Sequence, residues 1–326
     1  MTQQSTFNNA EHGKQKRVTK REAFLNMMNE IIPWSEVVEL IRPFYPKGEQ
    51  GRPPLGIELM LRMYFLQIWF CLSDEMTEDS IYDSYSMRRF MGLSFEQRVP
   101  DATTLLKFRH LLEEHHLGEK IFNAITKFLE ANGCMMRGGT IVDATILNAP
   151  SSTKKASGER DPEMHSTQKG KQWYFGMKVH IGVDAGSGYT HTIEVTAANE
   201  HDVTKASALI RDDDEVVYGD SGYQGIDKRD EIKTNPHKSK IDYKINERRG
   251  KVNSLLAGIS RNVGREREKR KSSVRSKVEH PFHIVKVLFR YGKVVYRGLA
   301  KNLNRLYMMF GSANLLMWGR AGCPQK

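Results

Sequence analysis

Three acids in this 326-residue sequence stand out because of their neighbours. Asp143 lies inside the β-branched run Thr140-Ile-Val-Asp-Ala-Thr-Ile-Leu147, where an unpaired carboxylate is costly to bury, so it calls for a partner or a metal ion. Asp220 ends the run Val216-Val-Tyr-Gly219, and the glycines at 219, 222 and 225 let backbone approach a ligand closely. Glu279 falls in a late helical segment, with Arg275 four residues before it and Lys286 seven after it on the same face. The opposite side of that segment carries Val274, Val278, Phe282, Val285 and Phe289, a stripe suited to docking on a sheet, while Pro281 predicts a kink or a helix start near Glu279. Brought together, three such acids suit magnesium, a hard cation held by carboxylates and phosphate oxygens. Two ions about 3.5–4 Å apart can activate a water or a 3′-hydroxyl and stabilise the leaving oxygen of an in-line displacement at phosphorus.

The elements that must position these acids fall into two parts. Up to about residue 136 the pattern is helical: Phe24, Met28 and Ile31 precede Pro33, an apolar run spans 57–72, and stripes cover Met76–Met91, Thr104–Glu114 and Leu117–Asn132. From 137 to 326 strands appear, at 140–147, 174–184, 189–196, 215–219 and 241–245, with Ala185-Gly-Ser-Gly188 as a hairpin turn and a two-turn helix at 203–210. The polar residues 151–172 read as a mobile loop, residues 246–271 as a basic insertion, and the end of the chain as helix again. The order β-β-β-α-β-α-β-α is that of an RNase H-like fold, a mixed five-stranded sheet flanked by helices. The expected architecture is thus a two-domain chain, α+β and α/β in class, with strands one and four adjacent and parallel so that Asp143 and Asp220 meet.

Composition narrows the partner. Lys and Arg number 50 against 39 Asp and Glu, which favours a polyanion. From Lys244 to Lys277 there are 12 Lys or Arg against Glu247, Glu266 and Glu268, so most of the net charge of +11 lies just before the glutamate helix. A membrane-binding helix would need an apolar face, and Arg265-Glu-Arg-Glu-Lys-Arg-Lys271 has none, so nucleic acid is favoured. The apolar run at 57–72 is interrupted by Glu58, Arg62 and Gln67 and is too short to span a bilayer, and no secretory signal precedes it; the expected location is the cytoplasm. Three scattered cysteines, Cys71, Cys134 and Cys323, read as ordinary thiols, and His165, His180, His191 and His201 lack metal-ligand spacing.

The segments Ile141-Val-Asp-Ala-Thr145, Gly219-Asp-Ser-Gly-Tyr-Gln-Gly225 and Arg275-Ser-Lys-Val-Glu279, with Lys286 beyond, resemble the DDE transposases of prokaryotic insertion sequences, and most closely the insertion-sequence family numbered five. The resemblance covers nearly the whole chain, including Pro100-Asp-Ala-Thr-Thr-Leu-Leu-Lys-Phe-Arg109 and Asp161-Pro-Glu-Met-His165. It departs from the family at Ser272, where the pattern around the glutamate has tyrosine. The resemblance implies that Asp143, Asp220 and Glu279 are catalytic and hold two Mg2+ ions, with Mn2+ as a substitute. It further implies binding of the element's terminal inverted repeats, hydrolytic release of 3′-hydroxyls and their attack on target DNA.

Candidate DNA contacts follow from charge and placement: Arg275 and Lys286 beside the glutamate, Lys269, Arg270 and Lys271 in the basic run, and Arg88, Arg89, Lys107 and Arg109 on helices that pair as a helix-turn-helix-like unit. Tyr223 and Trp173 are candidates for stacking on unpaired bases, although aromatic residues more often serve packing. Joining two DNA ends implies a homodimer or larger assembly in the DNA complex, in the nucleoid of a prokaryote. Two rival readings use the same residues: an RNase H-like nuclease that cuts without joining, and a domesticated DNA-binding regulator, which would be marked by a missing acid.

Overall fold

The computed structural model describes residues 17–48, 53–152, 158–248, 250, 254 and 259–322, without the side chains of 259–261. Contacts group the chain into Met1–Leu117 with Leu315–Lys326, and Gly118–Asn314.

In the first unit the helices are α1 (Lys20–Ile31), α2 (Trp34–Ile41), α3 (Ile57–Phe70), α4 (Asp74–Asp83), α5 (Tyr85–Phe90) and α6 (Ala102–Glu114). Four of them start on side-chain caps: Thr19, Ser73, Ser84 and Asp101 accept from the backbone amide of the third residue of α1, α4, α5 and α6. The continuous helix predicted over 76–91 is therefore two helices. Ser84 takes an extended conformation (φ −106°, ψ 110°) and serves as the cap of α5. Helix α3 is apolar on nearly every side and buries Met60 through Trp69, apart from Arg62, with Trp69 stacked on Phe65 at 4.9 Å. No described helix is long and apolar enough to cross a membrane.

Two arginines predicted as DNA contacts lie within this packing. Arg88 is 3% exposed, and its guanidinium donates to the carbonyl oxygens of Ser94, Phe95 and Gln97, fixing the turn after α5. Arg109 is 6% exposed and donates to both carboxylate oxygens of Asp74 and to Gln67 Oε1. A guanidinium so placed has no face for a phosphate, so contact with DNA does not fit either residue. Arg89 and Lys107 are exposed, Arg89 in an ion pair with Glu22.

The second unit begins with most of α7 (Leu117–Ala131), which stops at Gly133 in left-handed conformation (φ +69°), as Asn132-Gly133 predicts. The strands are β1 (Gly139–Asn148), β2 (His165–Lys169), β3 (Gln172–Asp184), β4 (Thr190–Ala197), β5 (Val216–Gly219) and β6 (Asp242–Ile245). They form one mixed sheet in the order β2-β3-β1-β5-β6, with β4 also on β3. β1 and β3 are antiparallel; β1 and β5, and β5 and β6, are parallel. A 3-10 turn (Asp202–Lys205) and α8 (Ala206–Leu209) cross from β4 to β5, and α9 (Asp230–Lys233) lies between β5 and β6. The core on this side unites Val142 and Val217 with Ala206, Leu209, Ile232 and Tyr223. After β6 come α10 (Ile259–Arg275), a 3-10 turn (Ser276–Val278), α11 (Glu279–His283), a wide π turn (Ile284–Leu288) and α12 (Leu299–Arg320).

The sheet has six strands rather than the five expected, because β2 lies in the stretch predicted as a mobile loop. β2 is polar and mostly exposed on both faces, so it lacks the apolar alternation that reveals a strand; its backbone pairing with β3 holds it. The loop before it is also tied down. Asp161 and Glu163 accept from Gly298 N–H (2.7 Å) and Leu299 N–H (2.8 Å) at the start of α12, and Met164 is buried. Residues 153–157 lie outside the described chain. The helix begins at 259, inside the stretch expected as a basic insertion at 246–271, and runs through its basic residues. Arg270 pairs with Glu266 one turn away, and Lys271 with Glu268.

A buried polar network ties the start of β1 to its neighbours. Thr140 donates to Asp214 Oδ2 (2.5 Å) and lies 3.0 Å from His191 Nε2, while Thr192 Oγ1 is 2.8 Å from His191 Nδ1. With Thr140's proton committed to Asp214, the imidazole donates from Nε2, and in its neutral form Nδ1 accepts from the Thr192 hydroxyl. Burial, with Arg211 nearby, lowers the His191 pKa to about 3 from an ordinary 6.5. Below pH 6.5 the unfolded chain takes up a proton that the native imidazole refuses, so stability falls as pH drops towards 3, by about 1.4 kcal/mol per pH unit. Denaturant melts between pH 7 and 5 are expected to show His191→Gln losing this contribution relative to the wild type, while His180, lowered to about 4, and Asp143, raised to about 6, act with opposite signs in both proteins. In the helical unit, Arg109→Met is expected to cost about 2–4 kcal/mol in the same melts, because the partly buried carboxylates of Asp74 and Glu113 lose the cation that both pair with.

Candidate active site

The parallel ladder between β1 and β5 pairs Gly139 with Val216, Thr140 with Val217 and Ile141 with Tyr218, and then ends. Two residues further along each strand stand Asp143 and Asp220, so the same register carries the two acids to the point where β5 stops. Asp143 remains within β1, opposite Ile181 of β3. Asp220 leaves the strand and caps the 3-10 turn Ser221–Tyr223, its Oδ1 accepting from Gly222 N–H at 2.8 Å.

The electrostatics at Asp143 are those of a crowded acid. Burial is the largest influence and pushes its pKa up to about 6 from 3.8. The Ala144 N–H, donating to Oδ1 at 2.8 Å, pulls it down; the negative charge of Asp220 pushes it up, Arg275 pulls it down and Asp202 pushes it up again. Keeping this carboxylate ionised above pH 6 costs the fold about 3 kcal/mol relative to an ordinary aspartate. Arg275 Nη1 is 3.7 Å from Asp143 Oδ2, a long contact, and its buried Nε has no hydrogen-bond partner among the described residues. The donors are all hard oxygens with a surplus of negative charge, which fits a divalent cation of the magnesium type. Among the described residues, no group of three or more His, Cys, Asp or Glu side chains is already placed to hold a metal ion, so Asp143 and Asp220 come together here as a pair of acids and Glu279 is not gathered with them.

Asp143, Asp220 and Arg275 therefore share one neighbourhood. Glu279 is exposed at the first position of α11, immediately after the 3-10 turn that follows Arg275. Pro281 falls in the first turn of that short helix, where a missing N–H is tolerated. Lys286 is half-buried in the π turn and donates to Thr145 Oγ1 and Ile146 O of β1, both at 3.0 Å, which fastens this segment to the strand that bears Asp143. Lys269 and Arg270 are exposed on α10, whereas Lys271 donates to Ile245 O and Glu268 and so joins the helix to β6. Ser272, at the position where the family pattern has tyrosine, accepts from Asn246 Nδ2 at 3.2 Å.

Tyr223 is fully buried and belongs to the core under β1 and β5, so its ring has no face for a base, and stacking does not fit it. Its hydroxyl has no hydrogen-bond partner among the described residues and feels the charges of Asp143, Asp202 and Asp220. Trp173 is 68% exposed on β3. Asp202, which no sequence spacing singled out as an acid of the site, enters through the pairing of β4 with β3. Lys178 of β3 holds it at 2.8 Å and also donates to Glu200 O.

A family model described as "Transposase DDE domain" matches residues 135–315, and one described as "Transposase domain (DUF772)" matches residues 13–111. No solved structure matches the chain.

The charges around Asp143 set a direct expectation. Arg275→Gln removes a nearby positive charge and is expected to raise the Asp143 midpoint above about 6, whereas Asp220→Asn removes a negative one and is expected to lower it. Carbon-detected NMR titration of carboxylate-labelled protein reads both; a midpoint that moved in neither variant would contradict this placement of the charges.

Proposed function

The chain belongs to the transposase DDE domain family, whose model covers more than half of its residues, and from that premise we propose that Asp143, Asp220 and Glu279 form its catalytic centre. Membership makes it an enzyme of DNA transposition, a nuclease and transesterase that binds DNA and depends on a divalent metal. The observation that carries the residue assignment is the placement of Asp143 and Asp220 side by side where β5 ends, with Asp143 pushed up to about 6.

In this reading the metal is magnesium, two ions per site with manganese as substitute, and the catalytic unit is RNase H-like. Asp143 and Asp220 would hold the ions from the sheet and Glu279 from α11. When bound, the ions supply Lewis acidity for the attacking water or 3′-hydroxyl and charge neutralisation at the leaving oxygen. The chain's own residues do the rest. The buried surroundings of Asp143 keep its carboxylate poorly hydrated and fixed, which strengthens its pull on a cation. Arg275, partly exposed and with only a long Nη1 contact to Asp143, has guanidinium donors for a phosphate oxygen of the scissile strand. Lys286 positions α11 against β1. The exposed Lys269 and Arg270 neutralise phosphates beside the site, and Arg89 and Lys107 contact DNA from the helical domain, taken as residues 1–136.

The substrate we assign is the pair of terminal inverted repeats of an insertion sequence of the family numbered five, cut to 3′-hydroxyls and joined to target DNA by a homodimer or larger assembly. The protein would act in the cytoplasm of a prokaryote, at the nucleoid.

Incubation with the DNA that flanks the gene, plus Mg2+, tests the assignment. Asp143→Asn, Asp220→Asn and Glu279→Gln are each expected to lower cleavage and strand transfer about a thousandfold or more while leaving DNA retention in gel shifts intact. Full cleavage by all three variants would refute it. Lys269→Ala with Arg270→Ala is expected to weaken DNA binding irrespective of sequence and to reduce the slope of log K against log[salt] by about two.

A further inference from the structure

We propose that Asp202 is a third aspartate of the divalent-cation site, facing Asp220 across Gly222; this rests on the assignment of Asp143 and Asp220 to that site. Glycine at 222 shows where the two carboxylates converge. A Cβ added there would lie 2.9 Å from Asp220 Oδ1 and 3.6 Å from Asp202 Oδ2, so both acids border one small volume that any side chain at 222 would enter. Gly222 is absent from the described glycines with positive φ, so space, rather than backbone conformation, is what the site needs from it.

Charge points to the same volume. The charges of Asp202 and Asp220 both act on Asp143, and these three carboxylates are balanced by two cationic side chains, Lys178 on Asp202 at 2.8 Å and Arg275 on Asp143 at 3.7 Å. The surplus is negative, among partly buried side chains where unlike charges attract strongly. An independent observation calls for a ligand. The Tyr223 hydroxyl is fully buried, lacks a hydrogen-bond partner among the described residues and sits in the field of all three aspartates. A buried O–H without an acceptor is costly, and a water in the shell of a bound cation has the oxygen it needs. Lys178 is then a place-holder: it neutralises Asp202 in the free protein and is anchored by Glu200 O.

A purely structural salt bridge, tying the turn after β4 to Lys178 of β3, is the competing account, and Mn2+ binding to the full chain without DNA separates the two. Free Mn2+ is read by electron paramagnetic resonance, and each variant's melting without metal is recorded. Asp202→Asn is expected to weaken Mn2+ binding at least about tenfold, and Gly222→Ala to weaken it through the volume it fills. Lys178→Met is expected to leave binding unchanged or tighten it. Wild-type affinity in Asp202→Asn alongside a loss in Asp220→Asn overturns the role of Asp202 and spares the site. Equal losses in Lys178→Met and Asp202→Asn also overturn it, in favour of the structural bridge. Should Asp202→Asn fail to fold, unchanged affinity in Gly222→Ala overturns the proposal on its own. Wild-type affinity in Asp143→Asn and Asp220→Asn would instead refute the underlying site.

Discussion

The short parallel ladder between β1 and β5 is the constraint on which the site depends. β1 runs on for seven residues after its last partner on β5, and it does so with β3 along its other edge. Asp143 is thereby held by a strand that is firmly paired on one side and open on the other. A carboxylate in the middle of a fully paired sheet would be shut away from ligands, and one on a loose end would be solvated and ordinary. At the end of a neighbouring strand it is both fixed and reachable, and its raised pKa records the desolvation that this position entails.

Positive charge is distributed around that point by different means. Arg275 ends α10 next to Asp143, Lys178 comes from β3, and Lys286 clamps the following segment to β1. These side chains belong to different elements, so the sheet and the helices that follow it have to be assembled before the acids are balanced. The exposed members of the basic stretch play another part. Lys269 and Arg270 lie on a helix whose own Glu266 and Glu268 temper the repulsion, which lets a strongly charged segment be helical without an apolar stripe.

Much of this was legible in the sequence, for reasons that can be named. The β-branched run around Asp143 and the glycines after Asp220 report strand and turn directly, and the helix before β5 implies the crossover that makes β1 and β5 parallel. Other features left no local mark. β2 is polar on both faces, so its membership of the sheet depends on its partner. Arg88 and Arg109 look like surface cations because charge is visible in a sequence, whereas the carbonyl groups and the carboxylate that bury them are not. Tyr223 fits a stacking residue by type and a core residue by place. Asp202 lies 59 residues from Asp143 in sequence, and the β3–β4 pairing with the Lys178 ion pair places it there.

The segment bearing Glu279 changes its winding several times in thirty residues, from α to 3-10 to α and then to a π turn closed by Phe289 N–H to Ile284 O at 2.8 Å. Each residue of a regular helix advances the side-chain direction by about 100°, and a π turn accommodates one extra residue without breaking the run. The azimuth of Glu279 about its own axis is accordingly fixed by two irregular joints, one on either side, rather than by a stiff rod. Lys286, sitting in the wider joint and bonded to β1, is the pin that stops this part of the chain from turning like a loose screw.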